Sequence, residues 1–212
     1  MQNRSYLLSE FFVLFILLPL SFVIEYSISV KAGLAMAGLI YVIFILKKVE
    51  HISFSVKKDI DWKAFWKRTA LRFSIIAIIT TAFVLYKDPP ALFYVPFNKP
   101  MLFLIILFIY TFLSVWPQEI IYRTFFFKRY ERLFPSKPLF VFINAILFML
   151  AHIFFRNTLV LVLTFLGGLL FSISYLKFRS TTLISIEHAL YGNWIFTVGM
   201  GQMLAFPGME NV

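Results

Sequence analysis

Long apolar runs alternate with short polar breaks along almost the whole chain. Seven apolar segments can be drawn, roughly 7–30, 32–46, 69–86, 101–117 with a continuation, 138–155, 158–176 and 181–200. Several fall near the roughly 17 to 25 residues that a helix needs to cross a bilayer. The pattern predicts about seven transmembrane helices, of which the second is short. The first segment resembles a secretory leader only in length. No small-residue cleavage site follows it, and Glu25 interrupts its end, so it reads as a membrane helix.

Composition takes the chain out of the water-facing class. Of 212 residues, 61% are hydrophobic and 14% charged, and the mean hydropathy is +0.86. The expected fold is an all-α, polytopic membrane helix bundle, a single membrane domain over residues 1–212 with the lipid bilayer as its surroundings. There is no cysteine, which excludes thiol nucleophiles, disulfides and Cys-based zinc sites. The net charge of +10 reads as basic loops against an anionic leaflet. No soluble basic domain exists to carry nucleic acid, so no such partner is expected.

The basic residues also orient the chain. With a cytoplasmic N-terminus and seven alternating helices, 15 of the 20 Lys and Arg residues face inside and 4 face outside, while Arg72 lies within a helix. That bias predicts a cytoplasmic N-terminus and an external C-terminus in a bacterial inner or plasma membrane. In the 47–68 loop, Trp62, Phe65 and Trp66 share one face of "DIDWKAFWKR" and predict a short helix lying on the cytoplasmic interface. The Pro-rich stretch 87–100 reads as an external loop.

Ionisable and amide side chains at membrane depth are costly, and they mark candidate chemistry. Glu119 and Arg123 stand four residues apart and can pair on one helix face, just after Pro117, which should kink the helix. Asn144, Phe148 and His152 fall at spacing four, one stripe down one face. Glu187 and His188 precede Asn193 on the last helix. Each of these also has a bland reading, as an interfacial salt bridge, a core histidine or a polar contact between helices. Thr164, Gly168 and Ser172 form a small-residue face that lets neighbouring helices approach closely. Counted from the turn near Pro135, Glu119 and His152 lie at similar depth in an antiparallel pair, and His188 starts from the same side. One carboxylate and two imidazoles suit water activation, and they equally suit a His₂Glu zinc set.

The motifs "QEIIYR" (118–123), "FMLAH" (148–152) and "HALYGN" (188–193) together resemble those of the CPBP family of intramembrane proteases, also called the CAAX protease and bacteriocin-processing (Abi) family. The resemblance covers about residues 100–200. It implies an intramembrane endopeptidase that cleaves a membrane-embedded or membrane-associated protein or peptide. Glu119 would activate water, His152 would order it or bind a metal, and His188 with Asn193 would stabilise the oxyanion. Arg123 would orient Glu119, with Phe148 and Asn144 in support. The family is described both as metal-dependent and as glutamate-type, so a zinc ion on Glu119, His152 and His188 stays open. Two departures stand out. Gln118 replaces the first glutamate of the family's Glu-Glu pair, and Gly192 holds the place of the usual Asn four residues after the last His, with Asn193 one residue further. Either Glu119 takes over the base role, or the chain is a catalytically silent scaffold that binds a partner protein. A transporter with a Glu/His proton relay is the weaker reading, because the helices show no internal repeat.

Overall fold

The computed structural model describes residues 3–52 and 60–202. Among them every regular element is helical. The long helices are α1 (Arg4–Ser21), α2 (Ile28–Lys48), α3 (Trp62–Lys87), α5 (Pro100–Leu133), α6 (Lys137–Leu150), α7 (Thr158–Phe178) and α8 (Thr181–Val198), with a short α4 (Tyr94–Asn98) before α5. Side chains cap most of the starts. Asn3, Ser27, Asp61, Ser136, Asn157 and Ser180 each accept a bond from a backbone N–H of the first turn. Arg179 and Gly199 close α7 and α8 in the left-handed conformation.

Among the described residues six helices are long and apolar enough to cross a membrane, so the protein is an integral membrane helix bundle. The seventh expected segment does form α8, 18 residues long, but Glu187, His188 and Asn193 lower its apolarity below that of the other six. Three boundaries differ from expectation. α1 stops at Ser21, ahead of the polar Glu25–Tyr26–Ser27 stretch. Ser27 then caps α2 at Ile28, so the segment that read as short is a full 21 residues. Trp62, Phe65 and Trp66 do not form a separate surface helix. They are the first turn and a half of the 26-residue α3, with Phe65 buried and both tryptophans exposed. Residues 53–59 of the preceding loop lie outside the described residues. The Pro-rich 87–100 stretch is partly ordered, as the Pro89–Ala91 turn and α4.

The chain divides into two compact units, residues 1–55 with 118–179 and residues 56–117 with 180–212. In the first, Arg129 near the end of α5 donates to Glu10 near the start of α1 at 2.7 Å and to Glu50 just after α2 at 2.9 Å. Tyr130 and Tyr41 also donate to Glu10. At the opposite end, Phe22 packs edge-on against Phe154, and Arg156 donates to the Val23 carbonyl. The start of α1 and the ends of α2 and α5 therefore share one side, as alternating crossings require. A close seam joins α6 and α7: a Cβ on Gly168 would lie 2.8 Å from the Ala145 Cα, so only glycine fits there.

In the second unit α8 runs in the same direction as α3. Glu187 and Tyr191 meet Arg72 and Thr69, and further along Trp194 donates to Thr80 at 2.9 Å. Gly199 closes on Ala91, whose carbonyl oxygen would lie 2.1 Å from any Cβ there. This glycine meets two demands at once, a φ of +107° and that close approach.

Candidate functional site

The helix that carries the first motif is not regular. Tyr110–Val115 and Ile120–Phe125 are wider π-turns flanking the α-turn Trp116–Glu119. Pro117 lacks an N–H and its ring presses on the carbonyl four residues back, which a widened turn relieves. The same device precedes Pro19, where Val13–Leu17 is π. The predicted disturbance at Pro117 thus takes the form of two wide turns, and Glu119 and Arg123 sit at the second.

Glu119 and Arg123 are both fully buried, and Arg123 Nε stands 3.4 Å from Glu119 Oε2. The ion pair expected from the spacing is present. It does not stand alone. Arg123 Nη1 donates to Asn144 Oδ1 at 2.7 Å and to the Tyr122 carbonyl at 3.3 Å. Asn144 Nδ2 donates to the same carbonyl at 2.9 Å, and Ser172 Oγ donates to Asn144 Oδ1 at 2.7 Å. The guanidinium lies over Phe148 at 4.9 Å and Phe171 at 5.8 Å from the ring centroids. Three helices, α5, α6 and α7, therefore fix one arginine, and that arginine faces one carboxylate.

Phe148 joins the second motif to the first. Its ring holds the Arg123 guanidinium and lies 4.9 Å from the His152 ring. His152 does not continue the α6 stripe as a helical residue. It sits just past the helix end, ahead of the turn Ile153–Phe155, and its Nδ1 lies 2.8 Å from the Phe148 carbonyl oxygen. A carbonyl only accepts, so Nδ1 carries the hydrogen. In the neutral ring Nε2 then carries the lone pair. Leaving the helix re-aims the ring while the bond to residue 148 sets its tautomer.

The third motif lies in the second unit. Glu187 is buried and pairs with Arg72 at 2.7 Å, and Tyr191 donates to it at 2.9 Å. This acidic group is a structural partner of the one arginine that the loops did not explain. His188 is buried, with Tyr110 edge-on at 6.0 Å. Asn193 Nδ2 donates to Thr111 Oγ1 at 3.0 Å. The structure thus joins Glu119, Arg123, Asn144, Phe148 and His152 in one framework within the first unit. His188 and Asn193 stand in the second, their side chains directed to Tyr110 and Thr111. Gln118 is half-buried beside Glu119.

The three motifs fall inside the segment that matches a known family. Residues 100–195 match Rce1-like, the type II CAAX prenyl endopeptidase Rce1-like family. The match is consistent with the resemblance to CPBP intramembrane proteases, and at family level it supports intramembrane endopeptidase activity. No curated protein and no solved structure matches the chain. Among the described residues no three His, Asp or Glu side chains gather as a group able to hold a metal ion.

Sequence reasoning missed Arg72, Tyr110 and the Glu10–Arg129–Glu50 knot. Arg72 had a signal, as the single basic residue inside an apolar run. Ser172 was legible through its place on the small-residue face of α7, and its hydroxyl bonds the Asn144 that steadies Arg123.

Proposed function

We propose that the protein is an intramembrane endopeptidase in which Glu119 activates water. The observation that carries this reading is the framework around Arg123. Two hydrogen bonds hold the guanidinium itself, to Asn144 and the Tyr122 carbonyl, and two more, from Asn144 to that carbonyl and from Ser172 to Asn144, brace its partners against a buried carboxylate. A structural ion pair has no need of such preorganisation, whereas a general base must be held in one place.

In this reading the Glu119 carboxylate removes a proton from water as its oxygen attacks the peptide carbonyl carbon. The carbonyl electron pair moves to oxygen. His152, its Nδ1–H given to Phe148, accepts the water's other hydrogen bond through Nε2. His188 donates to the developing oxyanion. Collapse of the tetrahedral intermediate breaks the C–N bond, and the proton held by Glu119 passes to the leaving amine. Gln118 keeps a neutral amide where the family pair has its first carboxylate, which leaves Glu119 as the single base. The substrate is a membrane-embedded or membrane-associated protein or peptide. The basic bias supports a cytoplasmic N-terminus and an external C-terminus.

The test is a comparison of protein termini in membranes from cells carrying the wild type and the Glu119→Gln variant. New termini that appear only with the wild type, beside equal expression of the two chains, support the enzyme and name its substrate. Identical termini favour the silent scaffold.

A further inference from the structure

We propose that Tyr110 is a further catalytic residue, whose hydroxyl gives the second hydrogen bond to the oxyanion beside His188. The inference rests on the endopeptidase reading above and adds a group to the same chemistry.

His188, Gly192 and Phe196 stand four residues apart and form one stripe on α8. A single side chain, Tyr110, covers all three. Its ring meets His188 edge-on at 6.0 Å and Phe196 edge-on at 5.0 Å. At Gly192 the approach is closer still. A Cβ there would lie 2.0 Å from the Tyr110 hydroxyl oxygen and 2.3 Å from Cε1 and Cζ. Glycine at 192 is thus a notch, and the phenol oxygen fills it, one helical turn beyond His188.

Two further observations fix that oxygen. Tyr110 packs on the apolar cluster of Val95, Ile106 and Phe196, which anchors its ring. It also opens the widened turn Tyr110–Val115, next to Thr111, whose hydroxyl takes the Asn193 amide. Asn193 follows Gly192 by one residue, so it points about 100° away from the His188 stripe. Its N–H is directed to Thr111. On the face of His188 itself, the polar group one turn along is the Tyr110 hydroxyl.

Oxyanion stabilisation depends on preorganised donors aimed at the oxygen where charge develops. A phenol on an anchored ring suits this, because its apolar body is packed while its O–H remains a strong donor. The step transfers no proton from Tyr110. In the proposed step the O–H and a His188 N–H both donate to the oxyanion, and both hydrogen bonds relax when the C–N bond breaks.

The experiment uses the full-length protein in membranes and a substrate showing Glu119-dependent cleavage. Tyr110→Phe removes one oxygen and keeps the ring. We expect kcat to fall about 10²-fold, the usual consequence of losing one oxyanion donor. KM and thermal stability should stay near the wild-type values. Tyr110→Ala combined with Gly192→Asn empties the space and returns an amide donor to it. This pair should recover at least about tenfold over Tyr110→Ala alone, a tenth of the full donor effect. An unchanged kcat in Tyr110→Phe overturns the proposal, and so does a loss that only follows lost stability, which makes the tyrosine a packing residue. If the wild type cleaves, Glu119→Gln does not and Tyr110→Phe is normal, Tyr110 alone is misassigned. If Glu119→Gln cleaves like the wild type, the endopeptidase reading has failed, and this inference falls with it.

Discussion

Asn144 and Arg123 are bound at 2.7 Å, and the same Asn144 oxygen takes the Ser172 hydroxyl at 2.7 Å. The amide thus connects three helices to the guanidinium that faces Glu119. This is the relationship on which the water-activating half of the account depends.

Its first consequence concerns Arg123. Arg123→Ala leaves the buried Glu119 carboxylate without its guanidinium, and breaking a buried pair by removing one partner costs about 3–5 kcal/mol. Arg123→Lys keeps the charge but loses the fork that reaches Asn144, Tyr122 and Glu119 together. Thermal unfolding in detergent should show a severe loss for the alanine and a smaller one for the lysine. Cleavage should be lost in both.

Asn144 gives a milder version of the same test. Asn144→Ala removes the acceptor shared by Arg123 and Ser172 and the donor to the Tyr122 carbonyl. Leaving such a buried group unsatisfied costs about 1–3 kcal/mol. The protein should still fold, with kcat reduced because the base is held less well. An activity equal to wild type would show that Arg123 does not act through Asn144.

Much of this framework was legible beforehand, for a physical reason. Polar groups are so costly in a bilayer that Glu119, Arg123, Asn144, His152 and His188 stand out against the apolar pattern, and helical spacing assigns their faces. Gly168 and Ser172 were legible as a close-packing face for the same reason. What spacing does not carry is departure from a regular helix. His152 leaves the stripe at the end of α6, Pro117 acts through two widened turns, and Trp62–Trp66 merges into α3. Contacts between residues far apart in the chain were also hidden. Glu10 and Arg129 are separated by 119 positions, and no local pattern links Gly192 to the Tyr110 ring.

The Glu10 knot separates folding from chemistry. Arg129 is buried between Glu10 and Glu50, and none of these three residues is assigned a role in cleavage. Arg129→Ala should destabilise the protein by about 3–5 kcal/mol, since it strands a buried carboxylate. At a temperature where the variant remains folded, its kcat should match the wild type. A selective loss of kcat in a fully folded variant would mean that the knot reaches the chemistry.

Orientation has its own check. A reporter fused after Val212 should be active only on the external face, and one inserted after Lys58 only in the cytoplasm. The reverse pattern would invert the assignment made from the basic residues.

The central claim is that Glu119 and His188 serve one peptide bond, the first as base and the second as oxyanion donor. The most direct measurement is the cleavage rate of Glu119→Gln, His188→Ala and the double variant, at matched expression and folding. Each single change should reduce the rate by about 10²-fold or more. The double variant should be little worse than either, because groups acting as one unit fail together. Losses that multiply in the double variant, or a Glu119→Gln protein that cleaves at the wild-type rate, would contradict the account.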